Sequence, residues 1–220
     1  MAKTIYCNSK WILLSLLLLL GCVKDEVVGF DPANKEWITI YSMGDNFAMR
    51  DDNGISQSFV LTENSHYFTE SSGGILFVTT HRSETEYHYQ LFTSSHGSRF
   101  SLSLTASTPQ FGDHIFIEFN GIGFDYDLRL KNIFRISSPF GYLSKTITDT
   151  GYDNDVTIKS TVRLLDSYTV NQAQYAGVLH FTLRDFEADW GPFTVKEIFV
   201  AKKYGLIKYV YNNGLTVERQ

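Results

Sequence analysis

Two acidic loops and a scatter of histidines are the places where this chain could do chemistry. Asp149-Thr-Gly-Tyr-Asp153-Asn-Asp155 and Asp185-Phe-Glu187-Ala-Asp189-Trp-Gly191 set oxygen-bearing side chains at alternate positions, a spacing that a hard cation such as Ca2+ accepts. Asp185, Glu187 and Asp189 are the candidate ligands. Yet the second loop has its glycine one place late for the calcium-loop template, and Glu197 is displaced by one as well, so a polar hairpin loop is the preferred reading. Among His66, His81, His88, His96, His114 and His180, only His88 has a carboxylate at strand spacing, Glu86, with His81 able to approach. A metal wants three or four convergent ligands with outer support, so a solvated strand face is expected there. Trp190 and Trp37 would stack on sugar rings if exposed; the competing role is filling a β core. Phosphate cradles, nucleophile elbows and zinc-binding helix pairs do not occur. Beyond that Ca2+ option, no cofactor is expected.

The remaining reactive residue type is cysteine. Lys3 and Lys10 precede the apolar run Trp11-Ile-Leu-Leu-Ser-Leu-Leu-Leu-Leu-Leu20, which ends in Gly21-Cys22. A positive head, a short apolar middle and a small residue before the cut describe an export signal over residues 1–21. The run falls far short of the roughly 20 residues a spanning helix needs. Leu19-Leu20-Gly21-Cys22 resembles the bacterial lipobox. The resemblance implies cleavage between Gly21 and Cys22, a diacylglycerol thioether on Cys22, and attachment to a membrane through acyl chains. Each buried methylene contributes about 0.8 kcal/mol, and two or more chains make the anchoring stable. Lys24-Asp25-Glu26 resembles the Lys-then-acidic export tag of surface lipoproteins in Bacteroidota, which implies display on the outer face of the outer membrane. A charged tether kept solvated would read the same way. Val23 supplies no aspartate at the position that retains lipoproteins at the enterobacterial inner membrane.

Composition narrows the rest. Residues 22–220 suffice for one large domain or two small ones. Cys7 leaves with the signal and Cys22 carries lipid, so thiol catalysis, disulfides and thiolate metal sites are excluded from the mature chain. Loss of Lys3 and Lys10 takes the formal charge from −5 to −7, and a net-acidic domain lacks the basic footprint of a nucleic-acid binder. Abundant Tyr and Phe favour sheet over helix.

The elements that must position these residues are strands. Residues 22–36 read as the lipidated cysteine and a tether, and 37–220 as a single antiparallel β domain. From Trp37 on, alternation of period two dominates, starting with Ile38 and Ile40 against Thr39 and Tyr41. Asp52-Asn53-Gly54 signals a hairpin turn, because Asn-Gly accepts positive φ. Strands are predicted over 56–61, 66–69 and 75–80, the last two separated by Gly73-Gly74. Others are predicted over 84–93, 99–106, 114–120 and 124–131, with loops at Ser94–Ser98 and Gly121–Gly123. Phe124, Tyr126, Leu128 and Leu130 are expected on one face. The last third continues over 143–149, 156–168, 175–186, 194–202, 206–211 and 215–218. About twelve strands with short connections make an antiparallel meander, and a sandwich, a barrel or a curved half-barrel would each satisfy it.

At the carboxyl end, Thr194-Val-Lys-Glu-Ile-Phe-Val-Ala-Lys-Lys-Tyr-Gly-Leu-Ile-Lys208 and Tyr209-Val-Tyr-Asn-Asn-Gly214 resemble the terminal hairpin of uncharacterised lipoproteins from Bacteroidota. Tyr168-Thr-Val-Asn-Gln-Ala-Gln-Tyr-Ala-Gly-Val178 fits the same pattern, while Val217 stands where those chains commonly carry tryptophan. The resemblance implies an antiparallel β domain on an outer-membrane anchor and implies no catalytic residues. The strand pair around Gly205-Leu-Ile-Lys208 reads as structural. Three functional classes follow: a surface binding module for a glycan or an outer-membrane protein partner, a carrier of lipid or another hydrophobic ligand, and a hydrolase with convergent carboxylates in a cleft.

Overall fold

Where one side of a strand meets a core, its side chains alternate, and β6 (His114–Phe119) shows this plainly. Ile115, Ile117 and Phe119 are fully buried, while His114, Phe116 and Glu118 are half-buried between them. The computed structural model describes residues 24–75, 78–107, 112–138, 141–143, 161–183 and 194–220. Among these, the chain is all-β apart from one 3-10 turn at Lys35–Trp37. No helix among them is long and apolar enough to cross a membrane. Cys22, Gly21, Trp190, Asp185, Glu187, Asp189, Asp149, Asp153 and Asp155 lie outside the described residues.

The other strands are β1 (Lys24–Val28), β2 (Asn46–Asp51), β3 (Ser56–Ile75), β4 (Val78–Ser94), β5 (Arg99–Thr105), β7 (Ile122–Asp127), β8 (Asn132–Ser138) and β9 (Gly141–Leu143). They continue with β10 (Thr161–Val170), β11 (Ala173–Thr182), β12 (Val195–Ala201), β13 (Gly205–Tyr211) and β14 (Thr216–Arg219). All fourteen belong to one sheet, ordered β10-β11-β12-β13-β14-β2-β3-β4-β5-β6-β7-β8-β9, with β1 added to β4. Every pair is antiparallel except β1 with β4. The meander breaks its chain order once, where β14 returns beside β2.

The sheet curls into a half-barrel whose concave side is filled. Phe59, Phe92, Phe100, Phe119, Phe124, Phe181 and Tyr209 have no exposed surface. Rings from strands far apart in the sheet meet there: Phe124 of β7 and Phe181 of β11 lie 4.6 Å apart, as do Phe119 of β6 and Tyr209 of β13. Those contacts require the two wings to fold over one another, and β10 comes against β8. Offset aromatic pairs at this spacing add to the burial itself.

Several turns form as their residue types predict. Gly54 and Gly214 take positive φ in the turns after β2 and β13. Four expectations are corrected. First, 66–69 and 75–80 are not separate strands. β3 runs to Ile75 and pairs with β4 from Val78 on, and Gly73-Gly74 is a register irregularity inside that pairing. Second, the expected strand 124–131 ends at Asp127. Asp127 Oδ1 accepts the Arg129 and Leu130 N–H groups at 2.8 and 2.7 Å, Lys131 adopts φ of 54°, and Leu130 is left 60 % exposed before β8 starts. Third, the turn placed at Gly121–Gly123 sits at Asn120-Gly121, both with positive φ. Fourth, no strand forms over 38–41: a 3-10 turn and an irregular stretch precede β2, with Ile40 exposed.

Candidate functional site

Two features stand out from the packed body, and both involve the segment after Cys22. The first is a ribbon. β2 accompanies β3 only as far as Val60, and Leu61 is bonded to Asp45 and Gly44. Beyond Thr62, β3 pairs only with β4 among the described residues, for roughly 45 Å at 3.3 Å per residue. β5 likewise leaves β4 at Tyr87, and the vacated edge of β4 is taken by β1, Lys24 opposite His81 and Val28 opposite Thr85. From Thr62 to Ser72 every β3 side chain of the ribbon is polar except Phe68 and the ring of Tyr67. Tyr67 and Phe68 are about half exposed, at 46 and 45 %. The Tyr67 and Tyr87 rings are 4.9 Å apart, and His66 faces His88 at 5.5 Å.

The second feature is a clamp made of two carboxylates and an amide. Glu86, buried on β4, accepts the Phe30 N–H on Oε2 at 2.8 Å. Its Oε1 lies 2.9 Å from His66 Nε2 and 3.7 Å from Lys35 Nζ. Burial opposes ionisation of Glu86, but the Phe30 N–H, His66 and Lys35 together outweigh it and hold the carboxyl below its usual value. Asp113, also buried, accepts the Asp31 N–H and Asn34 Nδ2 on Oδ2, both at 2.9 Å, and the Ser107 N–H on Oδ1 at 3.3 Å. Gln90 Oε1 accepts the Thr39 N–H at 2.9 Å. Residues 24–36, expected as a solvated tether, are therefore a strand and a clamped loop of the domain.

Between that loop and the connections after β5 and β7 opens a cleft of about 750 Å3, walled by Val28, Phe30, Ser107, Asp113, Leu128 and Arg129. Close backbone approach shapes its floor: a Cβ on Gly112 would stand 2.2 Å from Arg129 Cβ. Three carboxylates line it: Asp113, engaged with backbone and amide donors, Asp31, whose Oδ1 accepts the Ala33 N–H at 2.9 Å, and Glu26; just behind the wall, Asp127 holds the turn after β7. Beside them His114 Nδ1 sits 3.3 Å from Asp125 Oδ1 and its Nε2 3.8 Å from Asp127. The Asp125 hydrogen bond raises the His114 pKa against the opposing effect of burial.

The predicted sites fare unevenly. Trp37 is corrected from a candidate sugar platform to a core residue: it is 1 % exposed, with Lys202 Nζ 5.7 Å from its ring centroid. A sugar would find no open face there. Trp190 and the Asp185, Glu187 and Asp189 loop lie outside the described residues. Glu86 and His88 do share a face, yet Glu86 is buried and not on the solvated face expected of it. His88 Nε2 pairs instead with Asn64 Oδ1 at 2.8 Å. Among the described residues no group of three or more His, Asp or Glu could hold a metal ion. The clamp was missed because its acceptors meet backbone donors 56 and 82 residues away, a relation without local spacing. No family model, no curated protein and no solved structure matches the chain.

Proposed function

We propose that this chain is a lipid-anchored protein of the bacterial outer membrane that binds a protein partner through the free edge of its β3–β4 ribbon. The observation that carries the binding reading is that edge itself, which no strand among the described residues covers from Thr62 to Ile75 and which holds no proline or lysine. Exposed edges of this length invite a further strand; Glu63, Glu70 and two register irregularities blunt this one in part, while lysine and proline, the stronger devices, are absent from it. An extended segment of the partner would add main-chain hydrogen bonds to β3, while Tyr67 and Phe68 supply apolar contact beside it. The anchor reading is supported by the Gly21-Cys22 junction behind an export signal.

Of the alternatives, a glycan module loses Trp37 as a platform, and a hydrophobic-ligand carrier would need room on the concave side, where the phenylalanines are packed. A hydrolase would need a convergent pair of free carboxylates, and two of the three lining the cleft, Asp113 and Asp31, accept hydrogen bonds that hold the loop itself. A photo-crosslinking residue in place of Tyr67, introduced in the living bacterium, is expected to trap one discrete membrane-fraction protein. The same residue in place of Asn213, at the far end of the sheet, is expected to trap none. Equal or absent adducts at the two positions would defeat the binding reading. Independently, Cys22→Ser is expected to abolish acylation and move the protein out of the membrane fraction.

A further inference from the structure

We infer that the outer face of β3–β6 is a second binding surface, built for a neutral oligosaccharide chain. It is distinct from the β3 edge, which binds through main-chain groups, and goes beyond that role. Strand register composes it. Glu63, Ser65 and Tyr67 of β3 stand opposite Leu91, Tyr89 and Tyr87 of β4. Tyr89 stands in turn opposite Ser103 of β5, and Ser103 opposite Phe116 of β6. Between them in sequence, Phe92, Phe100, Leu102, Leu104, Ile115 and Ile117 fill the core, so alternation turns this set outward. The N-terminal segment is clamped to Glu86 and Gln90, which alternate with Tyr87 and Tyr89 and so occupy the other side of β4. Tyr67 is exposed, and Tyr87, Tyr89, Phe116 and Glu118 all keep part of their surface open.

The residue types on this face match what a sugar presents. A pyranose has C–H bonds on its flat sides and hydroxyls around its rim. Aromatic rings hold the first, and carboxylate, guanidinium and hydroxyl groups hold the second. Ser101 and Ser103 are only 7 and 4 % exposed although they point outward, so the side chains beside them lean across β5. Tyr89 does so toward the Ser101 hydroxyl, and Glu63, Arg99 and Glu118 are the charges close enough to act on its phenol. Neither Arg99 nor Glu118 makes an ion pair among the described residues, which leaves both able to bond a ligand. Tyr89 and Phe116 are two strand spacings apart, about 10 Å, so one chain crossing from β4 to β6 meets both. The Tyr67 and Tyr87 rings are tilted by 44°, which suits a single twisted chain and not the flat face of a crystalline polysaccharide. The centre of a protein interface is apolar and poor in serine, whereas here serines lie between the rings. Charge selects among sugars: with Glu63 and Glu118 around the rings and a formal charge of −5 on the chain, acidic polysaccharides are repelled.

The test presents the full-length protein to immobilised xyloglucan, galactomannan, amylopectin and polygalacturonate. A polyoxyethylene detergent keeps it dispersed, so that no detergent sugar competes. Binding to at least one of the three neutral polysaccharides is expected, with polygalacturonate at least about tenfold weaker. Tyr89→Ala with Phe116→Ala should weaken the neutral complex at least about tenfold, as truncating aromatic anchors does. Should that double variant lose its native circular dichroism, Arg99→Gln with Glu118→Gln keeps the rings and is expected to weaken binding at least about threefold. Asn213→Ala, at the far end of the sheet, is expected to bind as the parent does. No binding to any neutral polysaccharide, tighter binding to polygalacturonate, or affinity that survives the Arg99 and Glu118 substitutions would each overturn the proposal. So would a photo-crosslinking residue in place of Phe116 that traps a discrete protein in the living bacterium, because the face would then belong to a protein partner. None of these outcomes bears on membrane release by Cys22→Ser or on the adduct formed at Tyr67.

Discussion

At the scale of single residues, Glu86 is the side chain whose removal should tell most. Its carboxylate carries the junction between the segment entering from Cys22 and the ribbon, through Phe30, His66 and Lys35. Hydrogen bonds to a buried charged acceptor contribute about 1.5–3 kcal/mol, so Glu86→Ala should lower stability by about 2 kcal/mol in urea unfolding. The pH dependence has a definite sign. The Glu86 pKa is lowered on folding, so its contribution is complete above the usual 4.5 and is lost as pH falls through the lowered value. The His114 pKa is raised on folding by Asp125, with Asp127 and Asp113 adding to it, so its contribution is complete below the usual 6.5 and is lost as pH rises through the raised value. Both act in full between those two usual values. Urea midpoints measured across pH should lose their acid limb in Glu86→Gln and their alkaline limb in His114→Gln; unchanged limbs would mean that these pairings do not form in solution.

At the scale of elements, the ribbon and the body obey different rules, and that difference decides how far sequence patterns reach. β5 and β6 lie over a core, so Phe100, Leu102, Leu104, Ile115 and Ile117 repeat every second residue and both strands are legible. β3 beyond Thr62 has water on both faces, so Thr62, Glu63, Asn64 and Ser65 carry no alternation and a continuous 20-residue strand looks like two short ones. The glycines mislead for the same reason, since Gly73-Gly74 resembles a turn and instead marks a change of register. β1 is harder still, because what draws Lys24–Val28 onto β4 is an edge left vacant 57 residues away. The ribbon's independence from the core yields a prediction. Tyr67→Ala with Phe68→Ala should change unfolding free energy by no more than about 0.5 kcal/mol per site, as exposed positions do, while abolishing the adduct formed by the same photo-crosslinking residue placed at the exposed Thr69. A loss of several kcal/mol would place those rings in the fold and not on a binding surface.

At the scale of the whole molecule, the question is whether the curled sheet is one cooperative unit or two wings joined at β14 and β2. The chain folds β2 to β9 from its first two-thirds and β10 to β14 from its last third, and the β14–β2 ladder between them is three residue pairs long, with the Asp52 and Gln220 N–H groups bonded to Thr216 and Ala48 at its ends. Such a seam would permit independent wings. The core argues otherwise, since Phe181 and Tyr209 of the second wing lie against Phe124 and Phe119 of the first. Period-two alternation predicts that each of these rings is buried but is silent on which wing each one meets, which is why the half-barrel could not be chosen from the pattern alone. Truncating a fully buried phenylalanine costs about 3–5 kcal/mol, part transfer and part cavity. If the wings share one core, Phe181→Ala should move a single unfolding transition to lower denaturant, with fluorescence and circular dichroism coincident and the slope against denaturant unchanged. If the wings are separate, the same substitution should unfold the β10–β14 wing first and leave a second transition where the native one was. Phe124→Ala supplies the reciprocal case. Because the two rings touch, the double variant should cost less than the sum of the single variants, a coupling that only a shared interior produces.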